Sequence, residues 1–380
     1  MNSKRESNLT VTILSLSLLT VMAGAAVAPA LGVIQEYFKE TGQMLVQMII
    51  SIPALFIALT NIVFPKLCRL FKSKTLLMAG LALYVLGGCM AGLFSNIYLV
   101  LIFRALVGVG VGIIMPMSTG LLAFYYPADK QDKLMGYSSA MNQMGGVVAT
   151  LISGVLANIS WRASFLVYLM GLISVVLVLI YLPNDKIVKE DGRKEKGSAG
   201  KYLLFILSMF VLMFSFFVFP SSFAIETIKE GIIEQKYISI IMAGMDLVAF
   251  AGGLSFVHIK KRMGLNTRFA APAMFFAGYL CLFAIGGWGG ALSGSVLVGF
   301  ANGLGIPFLI STASRKAGKN AATSVIPLLS IAMYLAQFTT PVLLSGAGTV
   351  LSLLAAEKLP YLTAVLSSVL MFILAFGIKE

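Results

Sequence analysis

Twelve stretches of this sequence are each long enough and apolar enough to cross a lipid bilayer. A membrane-spanning helix needs about 20 largely apolar residues, because the hydrocarbon core is roughly 30 Å thick. Lipid offers no partner to backbone N–H and C=O groups, and a run of this length satisfies them internally as a helix. The twelve predicted segments are residues 9–31, 43–64, 75–94, 98–122, 134–158, 162–182, 202–224, 237–257, 269–287, 290–312, 322–346 and 358–378.

The first segment has some features of a secretory signal, since Lys4 and Arg5 precede it and "AGAAVAPA" lies near its end. Its apolar core is longer than the about 7–15 residues of a signal peptide, so we expect it to remain as the first helix. The composition is 59% hydrophobic and 11% charged, whereas soluble domains are about 45–50% apolar and about 25% charged. We therefore predict an all-α integral membrane protein.

The basic residues are distributed unevenly between the two sides of the predicted membrane. Of 28 Lys and Arg residues, 22 fall at the termini and in connections on one side, and five fall on the other. Because basic residues are retained in the cytoplasm, both termini are expected there, in a cell membrane. This asymmetry accounts for the net charge of +13, so nucleic acid is not needed as a partner.

The longest predicted connection divides the chain into two halves. The segment "PNDKIVKEDGRKEKGSAGK", residues 183–201, is polar and charged, as a solvated linker would be. We expect one six-helix bundle over residues 1–182 and a second over 202–380. The three cysteines are scattered and show no metal-binding spacing, so neither a disulfide framework nor a metal site is expected.

The two halves also resemble each other in sequence. Pro29 near the end of the first segment corresponds to Pro220 in the seventh. The comparison further matches Gly110 and Gly112 of the fourth segment with Gly303 and Gly305 of the tenth, and Gln143 of the fifth with Gln337 of the eleventh. Two related six-helix halves in sequence are typical of transporters.

Three short motifs carry a resemblance to the major facilitator superfamily, and the likeness extends over all twelve segments and the linker. "RALVG" at 104–108 resembles the family's fourth-helix motif, in which a glycine follows an arginine by four residues. "APAL" at 28–31 and "SWRASFLVY" at 160–168 resemble the drug and metabolite efflux members. The resemblance implies two pseudo-symmetric six-helix bundles that transport by alternating access, with helices one, four, seven and ten lining the cavity.

The sequence departs from the family pattern in two loops that normally carry an acidic residue. Arg69 stands at the acidic position between the second and third segments, and Lys261 stands at the related position after the eighth. In the family this acid helps to hold the cytoplasmic gate, so the usual gate chemistry is in doubt. The sugar-porter signature is also absent, which disfavours sugars as substrates.

Arg104 is a cation inside an otherwise apolar segment. A charged side chain at that depth is costly, so it should face protein or water. One interpretation is a structural arginine that binds helix-end carbonyls, and the other is a cavity cation for an anionic substrate or a nearby acid. The small residues after it, Gly108, Gly110 and Gly112, predict close helix packing, as do Gly303 and Gly305.

Asp246 is the carboxylate predicted nearest to the membrane midplane, in the eighth segment. Burial favours the protonated form of such a group and a nearby cation favours the ionised form, so it is our candidate for proton coupling. The alternative is a structural aspartate. Glu36 and Glu226 follow the first and seventh segments, where solvated loop acids are expected.

Five further polar side chains are predicted at similar depth and are candidate substrate or cavity residues. Each amide could equally join two helices. They are Asn142, Gln143, Asn302, Tyr334 and Gln337.

The sequence favours a secondary transporter over an enzyme, because no nucleophile elbow or P-loop is present and the sole histidine, His258, lies at a helix end. We expect proton-coupled efflux of an amphipathic small molecule by a monomer in the bilayer, with protons as the coupling ion and no cofactor. Uptake of a small organic anion is the alternative, supported by Arg104, and a non-transporting receptor or scaffold is a second one.

Overall fold

Helices build the computed structural model, which describes residues 3–186, 199–317, 325–351 and 358–378. No strand occurs within these ranges. The α-helices of the first half are α1 (Ser3–Ala25), α2 (Leu31–Tyr37), α3 (Gln43–Leu70), α4 (Ser73–Ala91), α5 (Ile97–Tyr125), α6 (Ala128–Ala157) and α7 (Gly171–Tyr181). Those of the second half are α8 (Leu203–Glu230), α9 (Gln235–Met263), α10 (Ala270–Ala284), α11 (Gly287–Ala317), α12 (Ile326–Leu351) and α13 (Leu359–Gly377).

Short 3-10 segments connect some of these helices. Ala28–Ala30 joins α1 to α2, and Ala163–Met170 leads into α7. Ala199–Tyr202 leads into α8, and Gly264–Phe269 joins α9 to α10. The first and sixth predicted segments are therefore each made of a 3-10 segment with α-helix rather than one continuous α-helix.

Eleven continuous helical stretches among the described residues are long and apolar enough to cross a membrane. One of them, Gln235–Ala284, is 50 residues long and contains both the eighth and the ninth predicted segments. All twelve predicted segments thus overlap with helices, although residues 322–324 of the eleventh lie outside the described ranges, and the predicted all-α membrane fold is confirmed. The seventh is longer than expected, because α8 continues to Glu230 and ends where Gly231 takes a positive φ of 67°.

The chain forms two compact units. Unit one contains Met1–Thr41 and Met48–Asp191, and unit two contains Gly42–Gln47 and Gly192–Glu380. The boundary falls inside the predicted linker 183–201, of which residues 187–198 lie outside the described ranges. The first turn of α3 therefore belongs to unit two and the rest of that helix to unit one.

Each unit has its own buried centre. In unit one, α1 packs against α5 and α6, and α4 packs along α5. In unit two, α9 and α10 pack against α11, while α8 packs against α12 and α13. The largest fully buried side chains include Arg104, Tyr84 and Tyr168 in unit one, and Tyr279 and Phe219 in unit two.

Candidate functional site

Arg104 joins three parts of unit one through hydrogen bonds to protein acceptors. Its side chain on α5 is fully buried, with 0% of its surface exposed. Nε donates to the backbone oxygen of Ile49 on α3 at 2.7 Å, and Nη2 donates to that of Ala23 on α1 at 2.6 Å. Nη1 donates to the Tyr168 hydroxyl, in the 3-10 segment before α7.

The local sequence explains why these two carbonyls are available. Pro53 lies four residues after Ile49 inside α3, and proline has no N–H to donate back to that carbonyl. Ala23 lies in the last turn of α1, where carbonyls have no partner within the helix. The Tyr168 hydroxyl also donates to the Ala23 oxygen, at 2.9 Å. The buried cation is thus held by acceptors that two helix irregularities expose.

This geometry corresponds to the structural interpretation of Arg104, in which it binds helix carbonyls. All three nitrogens of the guanidinium are engaged within unit one, and its face lies 5.4 Å from the centre of the Tyr168 ring. A role in binding a substrate anion, the second interpretation, gains no support from these contacts. We propose that Arg104 fixes α1, α3 and α5 to one another.

Arg104→Lys is expected to destabilise the fold more than it impairs transport by the protein that still folds. A lysine ammonium cannot reproduce the fork that reaches Ile49, Ala23 and Tyr168 together. Each buried carbonyl left without a donor costs about 1–3 kcal/mol. Thermal unfolding of the purified protein measures the loss, and Arg69→Lys, at an exposed position, is the control. Unchanged thermal stability with abolished transport would instead place Arg104 in the transport pathway.

The glycines of α5 face two different neighbours. A Cβ added to Gly108 would lie 2.8 Å from the Pro53 Cα of α3. A Cβ added to Gly112 would meet the side chain of Thr60, which is also on α3. A Cβ on Gly110 would instead lie 2.8 Å from the Tyr84 nitrogen of α4. Such distances leave no room for a side chain, so α5 touches α3 and α4 through its backbone.

The glycines of α11 show that the predicted match between the halves is wrong by two residues. Gly299 and Gly303 face α9, since an added Cβ would meet the backbone of Met245 or Ala249 there. They correspond to Gly108 and Gly112, which face α3, the equivalent second membrane helix of the first half.

The corrected register also matches a proline in each helix, Pro116 with Pro307. Gly110 therefore does not correspond to Gly303, because the two face non-equivalent helices. Gly305 packs against Leu212 of α8 and Ala271 of α10. Each register aligns two glycines with two glycines, so the proline pair was the sequence signal that favoured the corrected one.

The two candidate amides of α6 are both half-buried, and one of them bonds to α1. The Thr20 hydroxyl donates to Asn142 Oδ1 at 2.7 Å. Gln143 follows it on the same helix. Asn142 thus joins two helices in this structure, which is the alternative that the sequence left open for each amide.

The remaining candidates lie in unit two. Asn302 on α11 is 9% exposed, and its buried Oδ1 accepts no hydrogen bond from any residue that the structure describes. Tyr334 and Gln337 lie half-buried on α12, about one turn apart. All of these remain proposals as cavity residues.

Asp246 lies on α9 at the edge of the face that packs on α11. Met245 and Ala249 form that face, where each one's backbone lies close to a glycine of α11. Consecutive residues on a helix point about 100° apart, so Asp246 is turned to the side of this contact. Its side chain is half-buried, whereas Met245 and Ala249 are buried. This position is compatible with contact to water or a ligand.

Glu226 is the residue for which the sequence expectation was wrong. It is 7% exposed, and no other carboxylate whose side chain the structure describes is buried. Lys229 Nζ lies 3.0 Å from Glu226 Oε1, and Gln43 Nε2 donates to the same oxygen at 3.4 Å. The helix extends beyond it to Glu230, so Glu226 is not in a loop. Its three-residue spacing from Lys229 was the available sequence signal. Glu36, by contrast, is exposed as expected.

Arg69 and Lys261 replace the acids that the family has in its two gate loops. In unit one, other carboxylates make contacts at the end where the linker begins. The Asp185 backbone oxygen accepts from the Ser73 nitrogen at 2.9 Å, and its Oδ2 accepts from the Tyr125 hydroxyl at 2.8 Å. The start of the linker is thereby attached to the ends of α4 and α5.

A second carboxylate contact at this end involves the first turn of α1. Lys130 Nζ lies 2.7 Å from Glu6 Oε1. The Tyr126 hydroxyl donates to the Glu6 backbone oxygen at 3.2 Å, and burial raises the pKa of this phenol above its ordinary value. The two contacts connect α1 to the first turn of α6 and to the turn between α5 and α6.

The chain is similar in sequence to one known protein family and to several curated proteins. The family described as Major Facilitator Superfamily matches residues 13–341. The chain is 24% identical over 216 residues to Multidrug resistance protein 3 of Bacillus subtilis, an alignment covering 52% of this chain and 41% of that protein. It is 25% identical over 181 residues to Quinolone resistance protein NorA of Staphylococcus aureus, covering 45% of this chain and 46% of that protein. The chain thus spans less than half the length of these curated relatives.

A solved structure agrees with the fold over nearly the whole chain. The crystal structure of nucleoside transporter NupG superposes with a TM-score of 0.76 at 11% identity, covering 98% of this chain and 100% of that one. A likeness at this identity shows the architecture only, and it carries no information on the substrate.

Proposed function

Because this chain belongs to the Major Facilitator Superfamily, we propose that it is a secondary transporter that exports an amphipathic small molecule. The observation that carries the proposal is its similarity to Multidrug resistance protein 3 and to Quinolone resistance protein NorA. In alternating access, a central binding site opens to one side of the membrane at a time. The apolar helices and the few half-buried polar groups are suited to a largely apolar ligand.

We further propose that protons drive this transport, with Asp246 as the coupling group. Its half-buried position on α9 supports the assignment. Glu226 is the second candidate, because it is a buried carboxylate next to Lys229. Uptake of an organic anion was supported mainly by Arg104, and that support is weakened because Arg104 binds protein acceptors.

The orientation is also a proposal. The 22 basic residues on the linker side support cytoplasmic termini, and a reporter fused after Glu380 that is active only in the cytoplasm tests this.

The efflux proposal is tested with the purified protein in liposomes whose lumen is more acidic than the medium. An antiporter lets protons leave as substrate enters, so ethidium or a quinolone added outside should accumulate inside. A protonophore should abolish the accumulation, and protein-free liposomes are the control. Saturable binding of these probes without gradient-dependent accumulation would favour the receptor alternative.

A further inference from the structure

A small cavity lies inside unit two, at the end where α8 begins and α13 ends. Its walls come from α8, α10, α11 and α13, together with the 3-10 segment Gly264–Phe269. The volume open to water is about 20 Å³, and one water needs about 10–15 Å³ on this measure. The cavity therefore has room for about one water, and a substrate or a lipid headgroup is too large for it.

Most of this wall is apolar and buried, but Ser208 from α8 and Arg268 from the 3-10 segment bring polar groups to it. A third polar residue, Thr267, uses its hydroxyl within the 3-10 segment, where it donates to the Gly264 backbone oxygen at 2.7 Å. Cavities lined by apolar groups alone stay dry, whereas a buried water needs two to four polar partners. None of the residues proposed for transport lines the cavity, so its occupant does not depend on the transport proposal.

The Ser208 hydroxyl is buried and lacks a protein partner. The residue is 4% exposed, and its Oγ makes no hydrogen bond to any residue that the structure describes. The equally buried Ser295 on α11, by contrast, donates to the Leu292 backbone oxygen of its own helix at 3.0 Å. Because buried hydroxyls are normally hydrogen-bonded, the partner of Ser208 Oγ is expected inside the cavity.

Arg268 gives a second, independent indication of a bound group. Its Nη1 donates to the backbone oxygen of Ile378 at 2.6 Å, and the guanidinium lies 4.7 Å from the centre of the Phe269 ring. These contacts hold the side chain in place, yet its Nε is buried and makes no hydrogen bond within the described ranges. A guanidinium N–H can only donate, so the group that satisfies Nε has to be an acceptor.

We propose that this cavity is the binding site of one structural water that bridges Arg268 and Ser208. The water oxygen accepts a hydrogen bond from Arg268 Nε, and the water donates one to Ser208 Oγ. A single water thereby satisfies both buried polar groups, and such a bridge is nearly as favourable as a direct hydrogen bond. It joins α8 to the segment before α10, and Arg268 extends the connection to the Ile378 oxygen after α13.

Ser208→Ala tests the bridge through the sign of its effect on thermal stability. If Ser208 binds a water, the substitution deletes a buried hydrogen bond, so the Tm of the purified full-length protein in detergent should fall by about 1–3 °C. If the cavity is dry, the same substitution removes an unsatisfied buried hydroxyl, so the Tm should stay constant or rise. A Tm equal to or above that of the wild type would therefore overturn the proposal.

A double-mutant cycle tests whether Arg268 shares the water with Ser208. Arg268→Met keeps a long unbranched side chain but has no donor, so Ser208→Ala should lower the Tm less in this background than in the wild type. Ser295→Ala is the matched control, because Ser295 is 3% exposed but lies outside the cavity, and it should lower the Tm equally in both backgrounds. Equal losses from Ser208→Ala in both backgrounds would contradict the shared water.

A crystal structure of the wild type at a resolution that shows ordered water gives the direct result. We expect one water peak within about 2.5–3.2 Å of both Arg268 Nε and Ser208 Oγ. A cavity without this peak would overturn the proposal, and so would an anomalous peak there in crystals grown with bromide, which would assign the site to a halide. This measurement and the sign of the Ser208→Ala effect both remain decisive if Arg268→Met fails to fold.

Discussion

Asp246→Asn is expected to abolish transport driven by a pH gradient while substrate exchange continues. Asparagine resembles the protonated aspartate at nearly constant volume, so the fold and the binding of substrate should be retained. A group that cannot release a proton cannot couple substrate movement to the gradient. Counterflow of labelled substrate in liposomes measures exchange, and accumulation under an imposed pH gradient measures coupling.

The same variant should remove the pH dependence of substrate binding. If proton and substrate exclude each other, raising the pH deprotonates Asp246 and increases substrate affinity, and the linkage is reciprocal. The affinity of the wild type should therefore rise with pH through the titration of Asp246, and that of Asp246→Asn should stay flat. Glu36→Gln, at an exposed position, is the control and should behave as wild type.

One result would contradict the coupling role of Asp246. Accumulation by Asp246→Asn under a pH gradient alone would make Asp246 structural. Glu226→Gln would then be tested in the same assay, because Glu226 is the buried carboxylate that the structure adds. Loss of gradient-driven accumulation with retained exchange in Glu226→Gln, and not in Asp246→Asn, would move the coupling role to α8.

Gly108→Val is expected to prevent accumulation of folded protein, and Gly108→Ala to reduce its stability. A Cβ at this position would lie 2.8 Å from Pro53 Cα and 2.9 Å from Phe56 Cβ, on the opposing helix α3. Backbone cannot move aside as a flexible side chain can, so α5 and α3 would have to separate. Overpacking of this kind costs about 1–3 kcal/mol for one added group, and more for a larger one.

The matched control lies on the same helix. A Cβ at Gly120 would meet no atom within 4 Å, so Gly120→Ala should be neutral or stabilising by about 0.5–1 kcal/mol through lower backbone entropy of the unfolded chain. Thermal unfolding of the purified variants gives both values. Equal stability of Gly108→Ala and Gly120→Ala would show that the helices at Gly108 can separate without cost, contrary to the packing proposed for it.

Local pattern was sufficient to predict the helices. A run of about 20 apolar residues has one way to satisfy its backbone in lipid, so all twelve segments were located from the sequence. Their boundaries were less accurate, as at α8, because Gly231 rather than the end of the apolar run stops that helix. The motifs in the first, fourth and sixth segments were also sufficient to indicate the family that matches residues 13–341.

The hydrogen-bond partners of the polar side chains could not be predicted from the sequence pattern, because these partners lie far apart in the chain. Arg104 could be recognised as a buried cation, but its acceptors on Ile49 and Ala23 depend on how α1, α3 and α5 pack.

The sequence by itself determined that this chain is a helical membrane protein of the Major Facilitator Superfamily, because hydropathy and short motifs are local properties. Only the tertiary structure decided what each polar group contacts. Glu226 is buried where exposure to solvent was expected. The helix faces of the glycines also moved the match between the two halves by two residues. Burial and helix faces are both defined only when the helices pack. A polar side chain within an apolar segment is visible in sequence, but its role depends on neighbours that the fold supplies.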